Sequence, residues 1–455
     1  MTPELIARYG RAVPRYTSYP SALNFSPAVG AEEYRRWLKD AGDGGLLSLY
    51  LHVPFCRTLC WFCGCHTKAV NRYSPVAAYV EALLAEIDAV SGAVGNAVAV
   101  SRIHFGGGSP TMLSIEDFTR LVGSLRGHFH VLPDAEVSIE IDPRRLEKSS
   151  LEGFAEAGVT RASIGVQDVN PTVQRAVNRI QPRGVTERVV DWCREAGIEG
   201  VNIDLMYGLP HQTVESVAAT AEAIAALVPD RIALFGYAHV PWVKPHQKLI
   251  DERALGDAWE RWRLANAASE TLQAAGYRPI GMDHFALTSD PLALVQAKGR
   301  LRRNFQGYTD DQAQLLVGLG ASAISDLGAG YVQNESDITA YRAAIMAGSL
   351  AAAKGIALNA EDRLRRAVIE RLMCDFEVDL GEIAGAYDAD PGCFEDEKTA
   401  LHPLVADGLV EVAGDRISVS SAGRPLIRVV AAIFDTYLGQ GSGLGQGSGR
   451  FSGAV

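Results

Sequence analysis

The sequence predicts an α/β fold, an incomplete (β/α)6 TIM-like barrel followed by a smaller, mainly helical C-terminal domain. Three observations carry that prediction. Six short apolar or β-branched runs alternate with stretches of helical spacing, polar or glycine residues stand at the end of each run, and the alternation stops near Gly348. The runs are LLSLYLHV, SRIHF, EVSIEI, RASIGV, VNIDLM and RIALFGY. Between and after them, Val76 to Val90, Ile115 to His128, Leu151 to Ala157, Gly184 to Ala196, Val214 to Leu227 and Ala254 to Ala275 carry apolar residues at i, i+3 and i+4, the mark of amphipathic helices. Strands that alternate with helices must run parallel, because parallel neighbours cannot be joined by a tight hairpin. Six such units fit a barrel open on one side for a large substrate; an open doubly wound sheet satisfies the same pattern.

The expected organisation is an N-terminal arm (1–45), a catalytic partial barrel (46–350), a mainly helical domain (351–438) and a Gly/Ser-rich tail (439–455). Ala360 to Asp375 and Phe394 to Asp407 read as helices, and GLVEVAGDRISVSSAGRPLIRVV as a hairpin leading into a helix. That resembles a winged-helix layout, but Glu361, Asp362, Glu395, Asp396 and Glu397 give it an acidic face unsuited to DNA, so a lid on the barrel is the simpler reading. The formal net charge of -11 likewise excludes the basic footprint of a nucleic-acid protein. No apolar run approaches the roughly 18 residues that span a bilayer, and MTPELIARYG lacks the form of a signal peptide, so a cytoplasmic, monomeric enzyme is expected.

In parallel α/β folds the reactive groups lie at the carboxyl ends of the strands. Here those ends carry a cysteine-rich loop, then Gly106 to Gly108, then Glu140 with Asp142, then Gln167 with Asp168, then Asp204, and finally Tyr237 to His239. The glycines either open the main chain to a ligand or make a tight turn before Ser109-Pro110. Glu140 and Asp204 sit in apolar strands, where an unpaired charge is costly; they either meet a ligand's hydroxyls or ammonium, or pair internally with Arg161 or Arg179. His239 and His284 either serve the substrate or are satisfied core residues. The arm VPRYTSYPSALNFS has no period and either covers the mouth or packs on the surface.

The run HVPFCRTLCWFCGCHTK supplies Cys56, Cys60 and Cys63 with C-x3-C-x2-C spacing. Three thiolates leave one iron of a four-iron cluster without a protein ligand, open to a small molecule. The spacing is the signature of the radical S-adenosylmethionine (SAM) enzymes. A zinc knuckle would want a second matched pair of ligands, and Cys193, Cys374 and Cys393 are scattered singly. Disulfides are unexpected in a reducing compartment.

Nearly the whole chain resembles the oxygen-independent coproporphyrinogen III oxidases, radical SAM enzymes of haem biosynthesis. The matching stretches are PRYTSYP, SLYLHVPFCRTLCWFCGCHT, HFGGGSPT, SIEIDPR, GVQDVNPTVQRAVNR, NIDLMYGLPHQT, GYAHVP, GMDHFA, NFQGYT and GASAIS. The resemblance implies a [4Fe-4S] cluster on Cys56, Cys60 and Cys63 and two SAM molecules held by Tyr50, Phe62, Gly107, Gly108, Ser109, Glu140, Gln167, Arg179, Asp204, Ala238 and Ile324. Tyr50, Glu140, Phe305 and Gln306 are the implied catalytic residues, the last two in a loop near the second SAM. Cys65 is implied not to bind iron, and Ser109 stands where the family has threonine. The implied reaction removes hydrogen and carbon dioxide from two propionates of coproporphyrinogen III, leaving the two vinyl groups of protoporphyrinogen IX. It needs an electron donor and an acceptor that the sequence does not identify. Arg15, Lys68 and Arg303 are candidate carboxylate partners. A haem-binding chaperone of the same superfamily is the alternative, although this chain keeps both the C-G-C ending and the PRYTSYP arm.

Overall fold

In the computed structural model, which describes residues 1–41, 45–95, 98–438 and 453, twelve strands form one continuous sheet. We label them β1 (Leu46–Val53), β2 (Ala99–Gly107), β3 (His130–Ile141), β4 (Arg161–Gln167), β5 (Gly200–Tyr207), β6 (Arg231–Gly236), β7 (Arg278–Ile280), β8 (His284–Ala286), β9 (Leu315–Leu319), β10 (Ile324–Asp326), β11 (Gly330–Asn334) and β12 (Ala352–Ala357). The order is β12-β11-β10-β9-β1-β2-β3-β4-β5-β6-β8-β7, and β1 to β6 are consecutive parallel neighbours.

The six predicted runs are the six parallel strands, and the helices between them lie outside. Along β4, Ala162, Ile164 and Val166 are buried in the core that holds Leu83, Ile87, Phe118 and Leu121 of the outer helices, while Arg161, Ser163 and Gln167 alternate onto the other face. Period-two alternation thus sorts apolar side chains toward the helices and polar ones toward the barrel interior. Helix starts follow their caps: Ser114 accepts from the Asp117 amide, and Thr213 with Ser216 forms a capping box.

The structure corrects several expectations. β9 adds a seventh parallel strand beside β1, and antiparallel strands extend both edges of the sheet. These runs have three to six residues and were too short for a periodicity to stand out. The sheet runs on through β12 to Ala357, past the expected boundary at 350. The helix expected from Ala254 begins at Ala258, where an Asp257/Glu260 capping box starts it. The stretch from Phe394 is two short helices, Glu395–Ala400 and His402–Ala406. The hairpin belongs to a three-stranded sheet that includes Glu377–Asp379.

A second core gathers Leu364, Val368, Leu372, Phe394, Leu401, Ile417 and Phe434 from the C-terminal part with Val13, Tyr16 and Tyr19 from the arm. The arm is therefore packed rather than loose, seated between barrel and C-terminal helices. The expected tail, 439–455, lies outside the described residues apart from Gly453.

Candidate active site

The strand register brings the inward-facing polar residues side by side. Tyr50 is opposite His104, Glu140 opposite Ser163, and Gly165 opposite Asp204. One cavity is lined by His104, Glu140, Ser163, Asp204, Phe235, His284, Gln306 and Tyr308. Glu140 accepts from the Gly107 amide at 2.9 Å and lies 3.4 Å from His104 Nε2. Burial pushes its pKa up, but the hydrogen bond and charge of His104 and the Gly107 amide outweigh that and hold it below the ordinary carboxylate value. Asp204 accepts from Ser163 Oγ at 3.2 Å and Asn202 Nδ2 at 2.9 Å, and burial followed by the charge of Glu140 raises it to about 6.

The internal salt bridges considered for these two acids are not formed. Arg161 pairs with Glu136 at 2.9 Å, deeper in the barrel, while Arg179 donates to the Gly165 carbonyl at 2.5 Å and lies 3.7 Å from Asp142. Glu140 and Asp204 thus face the cavity without an arginine partner among the contacts of the described residues.

The cysteine loop leaves β1 and is tied down along its length. Phe55–Cys56 pairs with Lys68–Ala69, the Ser109 amide donates to the Phe55 carbonyl at 2.8 Å, and the Trp61 amide donates to the Val177 carbonyl at 3.0 Å. Asn178 Nδ2 reaches the Leu59 carbonyl at 2.9 Å, His246 Nε2 lies 2.8 Å from that of Cys63, and Gln247 Nε2 lies 3.0 Å from that of Phe62. Phe62 itself is buried with Cys60, Val173, Val177 and Tyr237.

The glycines serve this loop. A Cβ on Gly107, at φ +114, would lie 2.6 Å from the His52 ring, and one on Gly108 would lie 2.5 Å from Thr67 Oγ1 and 2.7 Å from the Phe55 carbonyl. Protein atoms fill the space left by the missing side chains, so the close approach that glycine permits here is that of the loop to β2. His52 donates to the His66 carbonyl and accepts from Tyr50, and burial lowers it to about 4, keeping it neutral.

The donor set fits an anionic iron–sulfur cluster. Arg179 Nη1 lies 3.5 Å from Cys60 Sγ, and Arg144, paired with Asp142 at 2.6 Å, is near enough to that sulfur for it to raise the Arg144 pKa. Two guanidiniums beside one thiol suit a centre whose thiolates and sulfides carry excess negative charge. Thr67 Oγ1 donates to Cys56 Sγ at 3.1 Å, and burial pushes the Cys56 thiol up to about 11, so that without a metal it stays protonated at neutral pH. Among the described residues no three His, Cys, Asp or Glu side chains are gathered for one metal ion, whereas the thiolates of a cubane each meet a different iron.

Polar atoms beside the loop are left unsatisfied. Gln167 Oε1 and Arg179 Nε are buried without a hydrogen-bond partner, and Gln167 adopts φ +74 where β4 slips register against β5. Unsatisfied groups and a strained backbone thus coincide at one strand end. Ser109 bonds Thr111, and the Ala238 carbonyl accepts from Gln247. Phe305 and Ile324 lie together in an apolar patch with Tyr331, away from Gln306 on the cavity wall. His284 lines the cavity and is held by Asp283 at 2.7 Å, whereas His239 bridges Tyr237 and Glu252. The sequence reading missed Arg144, His52 and Gln247; Arg144 follows the acid at the end of β3 and was legible as a strand-end cation.

The Radical SAM superfamily matches residues 50–224, and the HemN C-terminal domain matches residues 358–426. The oxygen-independent coproporphyrinogen III oxidase of Bradyrhizobium diazoefficiens is 49% identical over 445 residues, covering 98% of this chain and 99% of that protein. The chain belongs to the oxygen-independent coproporphyrinogen III oxidase family. The Escherichia coli member is 40% identical over 437 residues, 96% of this chain and 95% of its own. The solved structure of the coproporphyrinogen III oxidase HemN from Escherichia coli, a radical SAM enzyme, superposes with a TM-score of 0.90 at 39% identity, covering 94% of this chain and 100% of that one. Membership of the family makes the chain a radical SAM enzyme, with the α/β architecture described above. Among the described residues no helix is long and apolar enough to cross a membrane.

Proposed function

We propose that this enzyme converts coproporphyrinogen III to protoporphyrinogen IX without oxygen, in the cytoplasm, using a [4Fe-4S] cluster on Cys56, Cys60 and Cys63 and two molecules of SAM. The observation that carries the reading is the convergence of that loop, its two guanidiniums, and the acids Glu140 and Asp204, which have no arginine partner among the described contacts, at the carboxyl ends of the parallel strands. When bound and reduced, the cluster and SAM supply a carbon radical able to take a hydrogen atom from the β-carbon of a propionate. The propionate then loses carbon dioxide and passes one electron to an acceptor, leaving a vinyl group, and the sequence of events occurs twice.

The chain's own groups bind and orient. Arg179 and Arg144 offset the charge of the thiolates, and Glu140 and Asp204 present acceptors to the ammonium and hydroxyls of SAM, with Gln167 Oε1 as a further free acceptor. Tyr50 is held as a neutral phenol between His52 and the His104 ring, 5.8 Å away, closing the wall behind Glu140. Gln306 on the cavity wall suits contact with the second SAM. The arm and the C-terminal helices exclude water, which preserves a reactive centre that needs no protein acid or base for its difficult step.

Anaerobic reconstitution with iron and sulfide, followed by SAM, a reductant and coproporphyrinogen III, tests the reading. A tricarboxylic intermediate, then protoporphyrinogen IX, with matching 5'-deoxyadenosine and methionine, is expected. Haem binding without turnover would replace it with a chaperone.

A further inference from the structure

Four arginines from distant parts of the chain meet above the cavity. Arg15 of the arm lies 5.7 Å over the Phe235 ring at the end of β6. Arg303, whose side chain is 4% exposed, lies 4.3 Å over the Tyr308 ring and donates to the Arg15 carbonyl at 3.4 Å. Phe235 and Tyr308 are walls of the cavity that also holds Glu140 and Asp204. Arg261 lies 5.7 Å over Tyr207, against Gly236, and Arg428 of the C-terminal helix Ile427–Ala432 donates to the carbonyls of Val13, Pro14 and Gly453.

Two of the four, Arg15 and Arg303, keep donors that the chain does not use. The Nε of Arg15 and both Nε and Nη1 of Arg303 are buried without a hydrogen-bond partner, and Asp283, the acid nearest Arg303, is 3.9 Å away and already bonded to His284. Burial, followed by the charge of Arg15, lowers both Arg261 and Arg428, the latter to about 9. Like charges crowded out of water are costly, the unused donors of Arg15 and Arg303 are open to an anion, and the guanidinium fork matches a carboxylate in shape and charge.

We propose that Arg15 and Arg303, with Arg261 and Arg428 adding to the positive field, seat a propionate carboxylate of the tetrapyrrole, and that this anchor decides which other propionate faces the reacting centre. The inference rests on the substrate class assigned above. It also explains why the arm and the helix Ile427–Ala432 meet over the barrel: each brings one arginine.

The test is binding of coproporphyrin III, the stable oxidised tetracarboxylate, to full-length protein with its cluster reconstituted, followed by the Soret shift. Arg15→Gln and Arg303→Gln should each weaken binding between about tenfold and a hundredfold, the range for a charge-assisted hydrogen-bonded pair. The cluster's absorbance and SAM affinity should be unchanged, and Arg303→Lys, which keeps the charge but not the fork, should fall between wild type and Arg303→Gln. Arg15→Gln decides the matter if Arg303→Gln does not fold. Methyl esterification of the ligand's carboxylates, tested on wild type, should cost a similar factor. Wild-type affinity in Arg15→Gln, or for the ester, overturns the inference while leaving the proposed reaction standing. Failure of the wild type to bind coproporphyrin at all sinks the reading beneath it.

Discussion

The floor and the mouth of the barrel are both lined by charge, yet they are finished to different degrees. On the floor, Arg102 meets Glu136 at 3.0 Å and Asp310 at 2.5 Å, Arg161 meets Glu136 at 2.9 Å, and Arg231 meets Asp290 at 2.8 Å and Asp310 at 3.1 Å. The chain supplies its own counter-ions there, Asp310 in the loop after Thr309 among them, and of these three guanidiniums only Arg161 keeps a buried nitrogen, Nη1, without a hydrogen-bond partner. At the mouth, Glu140 and Asp204 lack an arginine, Gln167 and Arg179 keep unused polar atoms, and Arg15 and Arg303 keep unused donors. A satisfied network fixes geometry, whereas an unsatisfied one at the same depth is stable only when something else completes it.

The largest expected effect at the mouth is that of Cys60→Ser, which should abolish turnover and the brown charge-transfer absorbance of the reconstituted protein while leaving its denaturation midpoint close to that of the untreated wild type. On the floor the outcome should be reversed. Arg231→Met takes from Asp290 its close partner and leaves Asp310 to Arg102 alone, and should lower unfolding stability by about 3–5 kcal/mol in urea titrations, with kcat per folded, cluster-loaded molecule retained. Equal stability in that variant would mean that the floor is no more complete than the mouth. Arg179→Met sharpens the contrast between ligand and supporting group: it should weaken cluster retention against a chelator by about 10–100-fold without changing the number of irons bound at saturation.

Much of the barrel was legible because each strand announced itself twice, by an apolar run and by a polar residue at its end. The first helix after Ser114 and the helix Ala360–Asp375 were bounded by their caps. The edge strands β7 to β12 were not legible, because strands as short as His284–Ala286 hold too few residues for alternation to differ from chance. At the site, the residue types were visible but their pairing was not. Arg161 and Glu140 come from adjacent strands and look like partners in the sequence, but only the register shows that Arg161 lies beside Ser138, one level below Glu140, and turns to Glu136. Arg15 and Arg303 were candidate carboxylate partners in the sequence, but the four arginines at positions 15, 261, 303 and 428 lie in separate segments, so the linear order did not show that Arg261 and Arg428 join them.

Asp204 gives the smallest effect and the most discriminating one, because the two regions predict opposite signs for it. Its folded pKa of about 6 lies above the unfolded value of roughly 3.9, so folding favours the protonated acid. The associated stability is fully present below about pH 4 and is lost as pH rises through about 6, after which the folded state carries a desolvated charge. Asp204→Asn removes that charge and keeps an oxygen for Ser163 and Asn202. It should match wild type near pH 4 and be more stable by on the order of 1 kcal/mol at pH 8, less than the full shift implies because the side chain is only half-buried. The same variant should bind SAM at least tenfold more weakly at pH 8. A floor residue would behave otherwise, since removing an acid that the chain itself has paired lowers stability at neutral pH. Should Asp204→Asn prove less stable at pH 8 and bind SAM normally, Asp204 belongs with the floor, satisfied by Ser163 and Asn202, and the line between the two regions has to be drawn above it.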